Sequence, residues 1–101
     1  ILGLAGDTDG IFAVNDFTAV TVMKILQEAG YSIPRDISVV GFGNDPVAGL
    51  VSPGLTTVEQ KGYDMGREAV KMLVERIEAP ESNPASQTKV FPVRLIERNS
   101  A

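Results

Sequence analysis

The stretch SVVGFGNDP (residues 38–46) joins a short apolar run to a polar turn that contains glycine. With Ile37 in front of it, the apolar run is typical of a strand that is covered on both faces. A strand followed by Gly-x-Gly can open a nucleotide site, where backbone amides hold a phosphate. It can also form the rim of a different pocket, or Gly43 can simply permit a turn. The rest of the sequence has to decide among these interpretations.

The nucleotide interpretation fails on the residues that follow. A dinucleotide site needs a third glycine that opens a helix and an acidic residue at the end of the next strand. Pro46 stands at the third glycine position, and Asp64, at roughly the required distance, lies inside a predicted helix. The chain also lacks Gly-x-x-x-x-Gly-Lys-Ser/Thr.

The residues before this stretch predict a strand, a helix and a second strand. Residues 10–14 (GIFAV) are a short apolar run after a polar turn, which indicates a buried strand. Asn15 and Asp16 then supply a helix N-cap, and Gly30 suits the position just after a helix end. Between them, apolar residues recur at helical spacing: Ala19, Val22, Met23, Leu26 and Ala29. Pro34 lies in the connector to the strand at 37–42, so the order predicts a βαβ unit with a parallel sheet.

The second half of the chain is less regular. Residues 45–53 are predicted to form a loop with some apolar side chains, and residues 55–58 a short strand. A helix is predicted over about 62–78, with an inner side formed by Met65, Ala69, Met72, Leu73 and Ile77. Pro80 and Pro84 bound a polar loop, and residues 90–97 are predicted to be extended, with Pro92 unable to donate to a central ladder.

Composition excludes several classes of function. The chain has 101 residues, no cysteine and no histidine, which excludes thiol nucleophiles, zinc-finger spacings and imidazole chemistry. A net charge of −4 argues against a nucleic-acid surface on this chain. No apolar run reaches the roughly 20 residues of a membrane span, so we expect no membrane contact. The sequence opens on Ile1 without a Met or a charged n-region, so we expect no signal peptide. We expect no catalytic residues, no metal and no cofactor, and therefore not an enzyme.

Polar residues follow both predicted strands at the point where each strand ends. Asn15 and Asp16 come after the first strand, and Asn44 and Asp45 after the second. Ligands of open α/β sheets bind at the carboxyl ends of the strands. The polar residues at the two strand ends together suggest a site for a small polyol or sugar-like molecule. Asn15 and Asp16 could instead serve only as a helix cap. An enzyme that uses Asp16 and Asp45 is disfavoured, because no histidine, lysine or metal cluster accompanies them.

Several blocks of sequence, in this order and at these spacings, resemble the LacI/GalR family of bacterial transcription regulators. They are IFAVND (11–16), Gly30, PRDISVVGF (34–42), SPGLTTV (52–58), MGREA (65–69) and LIERNS (95–100). The resemblance covers about residues 9–100. Each block alone is weak, whereas the ordered series is specific.

The resemblance implies an α/β fold: an open parallel sheet with flanking helices, part of the type I two-lobed fold of periplasmic binding proteins. Residues 1–101 would be the C-terminal portion of one effector-binding domain. About 1–60 would belong to the C-terminal lobe, about 61–92 would dock on the N-terminal lobe, and about 93–101 would return. The chain would cross between lobes near 59–62 and 91–94. The family's helix-turn-helix DNA-binding domain is absent from this chain.

The resemblance also implies a ligand site. Asn15 matches the family's ligand-contacting asparagine, and Phe42 matches its aromatic position. The family commonly has an aspartate directly after the aromatic residue, and here that position is Gly43. Either the effector lacks a hydroxyl at that point, or Asn44 or Asp45 serves it. We favour the second alternative, so the predicted ligand-binding residues are Asn15, Asp16, Phe42, Asn44 and Asp45.

The implied function is that of a sugar-sensing domain in a homodimeric regulator. A small effector, a sugar or sugar derivative, would bind between the lobes and change operator DNA binding through the missing helix-turn-helix domain. Val47, Leu50 and Val51 resemble the family's subunit contact, unless they pack inward under the sheet. The lack of cysteine fits a reducing compartment, and we expect a cytoplasmic location. The alternative is a periplasmic or secreted sugar-binding receptor of the same fold without a DNA reader.

Overall fold

The computed structural model describes residues 8–79 and 86–101, which form four short strands and three helices. In chain order these are β1 (Gly10–Phe12), α1 (Asp16–Glu28), β2 (Ser38–Val40), α2 (Val47–Leu50), β3 (Thr57–Glu59), α3 (Gly62–Glu78) and β4 (Arg94–Ile96). Within these residues, none of the helices has the length and apolar character needed to cross a membrane. The predicted loop bounded by Pro80 and Pro84 lies outside the described residues, as do residues 1–7.

The predicted strand–helix–strand unit is confirmed. Strands β1 and β2 pair in parallel, with Gly10 opposite Ser38 and Phe12 opposite Val40. Successive amides of a strand point to opposite edges, and on its other edge β2 meets the C-terminal part of the chain. There the Val39 amide donates to Ser100 O (2.9 Å) and the Gly41 amide to Thr56 O (2.9 Å). Strand β4 runs antiparallel to β3, so one antiparallel pair accompanies the parallel one.

Helix α1 begins and ends at the predicted residues. The Asn15 side chain caps its first turn by accepting a hydrogen bond from the Thr18 amide at 2.8 Å, and Gly30 follows the helix with φ of +93°, which suits glycine. Ala19, Met23 and Leu26 are buried and form one core with residues of the strands and connectors. The core also contains Ala13, Ile33, Ile37, Val39, Ala48 and Leu55. Local spacing thus predicted the helix and three of its buried residues, whereas Val22 is only partly buried and Ala29 is exposed.

Two sequence predictions need correction in this part of the chain. The first strand is shorter than residues 10–14 and is not covered on both faces, because Phe12 is 62% exposed and Val14 75% exposed. The predicted loop 45–53 contains the short helix α2, which has no side-chain N-cap and therefore left little trace in the sequence.

The contacts divide the chain into two units, each described by itself. One contains the described residues up to Glu59 together with Arg94–Ala101, and the other lies within Gln60–Val93. Helix α3 of the second unit has the predicted bounds, but its predicted inner side is not buried in this chain. Its large exposed apolar residues are Tyr63, Met65, Val70, Leu73, Val74 and Ile77.

An ion pair attaches the segment after residue 85 to α3 inside the second unit. Lys89 Nζ lies 2.7 Å from Glu68 Oε1, and this hydrogen bond, with the positive charge that accompanies it, lowers the pKa of the Glu68 carboxyl. Because the pKa is lowered by folding, the contribution is present at neutral pH and is lost as the pH falls through the lowered value. The pair is solvent-exposed, so its contribution to stability is small.

Gly41, directly after β2, lies where the chain cannot accept a side chain. A Cβ atom built there would overlap Asp16 Oδ1 and would lie 2.9 Å from Leu55 Cδ2 and 3.2 Å from Ala19 Cβ. All three neighbours are fully buried, so none can move into solvent. The close approach of β2, β3 and α1 therefore depends on a glycine at this position.

We expect Gly41→Ala to destabilise the protein by about 3 kcal/mol, the upper end of the usual cost of overpacking. Urea unfolding followed by circular dichroism measures the change. Gly49→Ala is the matched control, because nothing lies within 4 Å of a Cβ at Gly49 in α2. The control should leave stability unchanged or raise it slightly. Equal midpoints for the two variants would contradict the packing described for Gly41.

Candidate functional site

The carboxylate of Asp16, the first residue of α1, joins the ends of the strands. Its side chain is fully buried. Asp16 Oδ2 accepts a hydrogen bond from the Asp45 amide (2.6 Å) and Oδ1 accepts one from Thr57 Oγ1 (2.6 Å). The predicted meeting of the two polar strand ends therefore occurs through Asp16. Both of its oxygens are used inside the protein, in a position where the helix N-terminus favours negative charge.

Asn15 lies beside Asp16 but is exposed. Its Oδ1 caps α1 through the Thr18 amide, so the cap interpretation of this residue is confirmed. A cap uses only the side-chain oxygen, and the Nδ2 amino group of an asparagine is a separate pair of donors. Asn15 can therefore act as a cap and still present donors to solvent or to a ligand.

The turn after β2 needs backbone that only glycine and asparagine adopt readily. Gly43 has φ of +123° and Asn44 has φ of +52°, both in the left-handed region. The Gly43 amide donates to Val58 O at 2.7 Å, which holds the turn against β3. An aspartate at position 43 would be strained in this conformation. The backbone of this turn therefore favours glycine at position 43, and the chain has no carboxylate there as a consequence.

The side chain of Asn44 is committed to the protein. Its Oδ1 accepts from Arg98 Nη2 (2.9 Å), and its Nδ2 donates to Glu59 Oε1 (3.3 Å). Its backbone amide donates to Thr57 Oγ1 at 3.3 Å. Arg98 also donates to Leu55 O (2.8 Å), so it cannot turn away without losing a second contact.

Asp45 differs from Asn44 because its side chain is exposed. Its backbone is held at both ends: the amide donates to Asp16, and the carbonyl accepts from the Ala48 amide at 2.9 Å. Its Oδ1 lies 3.7 Å from the point that a Cβ on Gly43 would occupy. A rigid backbone thus presents an accessible carboxylate next to the glycine.

Phe42 forms an edge-to-face pair with Phe12 across the two parallel strands. The ring centroids are 6.5 Å apart and the planes meet at 81°. Phe42 is half-buried and Phe12 is largely exposed. An exposed aromatic surface with a few fixed polar groups nearby is typical of small-molecule sites.

The three residues of the predicted subunit contact lie in different environments. Leu50 is 83% exposed, while Val47 is half-buried. Val51 is partly buried and packs against the core, as the inward-packed alternative supposed. Whether these residues form a subunit contact stays a prediction.

Thr57, Glu59 and Arg98 belong to the same polar network and were not predicted as site residues. Thr57 is fully buried. Its hydroxyl accepts a hydrogen bond from the Asn44 amide and donates one to Asp16. Thr57 and Arg98 lie within blocks of the resemblance, SPGLTTV and LIERNS, but an isolated threonine or arginine does not indicate a partner. Their contacts span 41 and 54 residues of sequence, beyond the reach of local spacing.

Two further features of the described residues bear on the chemistry. Within 8–79 and 86–101, no group of three acidic residues could hold a metal ion. A groove of about 470 Å³ lies on the second unit, lined by Met72, Leu73, Glu75, Arg76, Ala79, Ser86 and Gln87. None of the predicted site residues lines it.

We expect Asp16→Asn to lower stability by about 2 kcal/mol, because the Asp45 amide and the buried Thr57 hydroxyl lose a charged acceptor. Chemical denaturation measures the loss. Asn15→Asp is the matched control on the neighbouring residue: it makes the reverse exchange at an exposed position and keeps a capping oxygen. Asp16→Asn with wild-type stability would show that the Asp16 carboxylate does not hold the strand ends together.

Comparison with known proteins gives consistent relatives. The profile of the family described as "Periplasmic binding protein-like domain" matches residues 4–101. The ribose operon repressor of Bacillus subtilis (strain 168) is 37% identical over 92% of this chain, which spans 28% of that protein. The lactose operon repressor of Rhizobium radiobacter is 40% identical over 100% of the chain and 87% of its own sequence. A solved structure, the transcriptional regulator CelR–cellobiose complex, superposes with a TM-score of 0.88 at 33% identity, over 99% of this chain and 30% of the other.

These relatives are transcriptional regulators rather than enzymes. The matches extend along nearly the whole chain, and the fold agrees with the βαβ unit, the strand ends and the helices described above. The chain belongs to the periplasmic-binding-protein-like family, among the regulators of the LacI type, and is a fragment of their effector-binding domain.

Proposed function

We propose that this chain senses a small sugar or sugar derivative in a LacI-type transcriptional regulator. The effector binds between two lobes, of which this chain supplies part of the C-terminal one, and changes operator DNA binding by the full-length homodimer. The three relatives are named for the ribose operon, the lactose operon and a complex with cellobiose. Cytoplasmic action follows from operator binding in a bacterium.

The observation that carries the proposal is the position of Asp45. Its exposed carboxylate lies beside Gly43, at the place where the resemblance expects an aspartate, and its backbone is held by Asp16. A carboxylate held in this way accepts hydrogen bonds from sugar hydroxyls without further ordering. Asp45 therefore replaces the missing aspartate, and Phe12 and Phe42 supply an apolar surface for the sugar ring.

Asp16 acts on the effector indirectly. Both of its oxygens are occupied and it has no exposed surface, so its role is to fix the position of the Asp45 backbone. Asn15 contributes the donors that its cap leaves free. Of the five predicted ligand-binding residues, we therefore assign direct contact to Asn15, Phe42 and Asp45, and a supporting role to Asp16 and Asn44.

The division into lobes is supported by the boundaries of the two units. The contacts divide the chain after Glu59 and after Val93, close to the proposed crossings near 59–62 and 91–94. In this proposal, residues 61–92 dock on the N-terminal lobe, which covers the exposed apolar side of α3. Burial of this side of α3 would be favourable, because its large apolar side chains would leave water.

The homodimer contact is proposed to centre on Leu50. Leu50 stands exposed on α2, and the adjoining helix α1 exposes Phe17 (76%) and Ile25 (45%). A contiguous exposed apolar patch is typical of a surface that binds a partner, and we propose that these side chains contribute to one. A second copy of the chain is the partner that the proposed regulator requires.

The effector site is tested with D-ribose, lactose and cellobiose on the complete regulator, by calorimetry and by release of operator DNA. We expect a response to at least one sugar of this type, and Asp45→Ala should raise the concentration for half-response by about tenfold or more, equivalent to about 1.4 kcal/mol. Loss of an ionised acceptor for a buried hydroxyl is the physical reason.

Two further variants serve as controls for this test, one expected to impair the response and one expected to leave it unchanged. Asn15→Ala should also weaken the response, because it removes the free donors. Asp9→Ala removes an exposed acid at the opposite end of β1 and should leave the response unchanged. A normal response of Asp45→Ala, with Asn15→Ala impaired, would show that the loop is only a turn.

The subunit contact is tested by Leu50→Glu. We expect the complete regulator to become monomeric in sedimentation velocity and to bind its operator more weakly, since a charge would be buried in the contact. Leu50→Met keeps the apolar volume and should remain dimeric. A dimer of unchanged stability for Leu50→Glu would place the contact elsewhere.

A further inference from the structure

Asn44 has a polar network that reaches beyond the sugar site. Arg98 donates to its Oδ1 and Glu59 accepts from its Nδ2. These partners determine which end of the amide is oxygen, because a guanidinium only donates and a carboxylate only accepts. The left-handed φ of Asn44 is one that asparagine tolerates better than most residues. Both polar ends of the Asn44 side chain therefore have protein partners, and the side chain is not free to contact a ligand.

Glu59 links this turn to the place where the chain leaves the first unit. Glu59 Oε1 accepts from Asn44 (3.3 Å), and Oε2 accepts from Arg94 Nη2 (2.8 Å). Glu59 is the last residue before one boundary of the unit, and Arg94 is the first residue after the other. The two residues also face each other across the antiparallel pair of β3 and β4. One carboxylate thus has one oxygen on the effector turn and the other on the crossing strand.

The exposure of this pair makes it suitable for rearrangement. The side chains of Arg94 and Glu59 are 74% and 41% exposed, and exposed pairs contribute little to the stability of a fold. The contact can therefore break without unfolding the unit. By contrast, Asp16 and Thr57 are fully buried, and their hydrogen bonds keep the strand ends in place.

We infer that Asn44 and Glu59 are positioning residues that couple the effector turn to the two chain crossings. A sugar held by Asp45 acts on the neighbouring Asn44, which changes the contact of Glu59 with Arg94 at the crossings. The reverse also holds, because coupling between two sites is reciprocal. This inference rests on the proposed function, and it assigns Asn44 to transmission instead of to sugar binding.

The test exchanges the two groups. Asn44→Asp keeps an acceptor for Arg98 but places a carboxylate oxygen against Glu59, so the contact is lost by repulsion. Glu59→Gln keeps an acceptor for Asn44 but reduces the contact with Arg94. In the double variant, the new glutamine amide can donate to the new aspartate while its oxygen accepts from Arg94. The double variant should therefore restore the network that each single change breaks.

The first measurement needs no sugar: hydrogen exchange of the backbone amides at 93–96 in the complete regulator. We expect each single variant to speed exchange there by about threefold or more and the double variant to return it to the wild-type rate. Glu68→Gln, which breaks an exposed ion pair on α3, is the matched control and should not change exchange at 93–96. Unchanged exchange at 93–96 in Asn44→Asp, or a double variant as fast as the sum of the singles, would overturn the inference.

The second measurement uses whichever of D-ribose, lactose and cellobiose releases the wild-type regulator from its operator. The single variants should bind that sugar within about threefold of wild type, yet the ratio of operator affinities without and with sugar should fall by about fivefold. The double variant should recover the ratio. Loss of sugar affinity in equal measure would show Asn44 to be a ligand contact and would overturn its role in transmission. Failure of all three sugars would contradict the proposed function, while the exchange experiment would still decide the inference.

Discussion

The buried carboxylate of Asp16 is the interaction on which this structure depends. It is a charge without contact with water, so it needs fixed donors, and it has them in the Asp45 amide and the Thr57 hydroxyl. Those two donors come from the turn after β2 and from β3, so three elements are tied to the start of α1. Gly41 follows from the same constraint, because any side chain there would occupy the space of the carboxylate. The burial of the Asp16 carboxylate and the glycine at position 41 therefore depend on each other.

Burial of Asp16 explains how the neighbouring polar residues divide their roles. Asn44 is held between Glu59 and Arg98, whereas the backbone of Asp45 is fixed and its side chain reaches solvent. Adjacent polar residues of similar size therefore differ in the chemistry they can perform. One is bound to the protein, and the other can accept hydrogen bonds from a ligand. A rigid support beneath an accessible group reduces the ordering that binding requires.

A second feature of the structure is the number of large apolar side chains that face solvent. Phe12, Phe17 and Leu50 of the first unit, and most of the apolar side of α3, face solvent in this chain. Relatives such as the Bacillus subtilis repressor are much longer than this chain, and the proposed partners for these surfaces are an effector, a second subunit and the N-terminal lobe. Each surface corresponds to one step of the proposed mechanism: binding, assembly and movement of the lobes. The polar network of Asn44, Glu59 and Arg94 lies where those steps would meet.

The sequence by itself determined the local structure of this protein. Asn15 as a cap, Gly30 after the helix and the bounds of α3 follow from interactions among residues a few positions apart. The order strand, helix, strand predicted the parallel pairing of β1 with β2. The ordered motifs also identified the family, and the polar residues after the strands predicted a site at the strand ends. Only the tertiary structure decided that Asp16 and Asn44 face the protein while Asp45 faces solvent, and that Phe12 is exposed. Those outcomes depend on partners as far as 41 residues from Asp16 and 54 from Asn44, and on which surfaces another part of the chain covers. Neither side-chain pairing over such distances nor burial by absent partners is encoded in a local pattern.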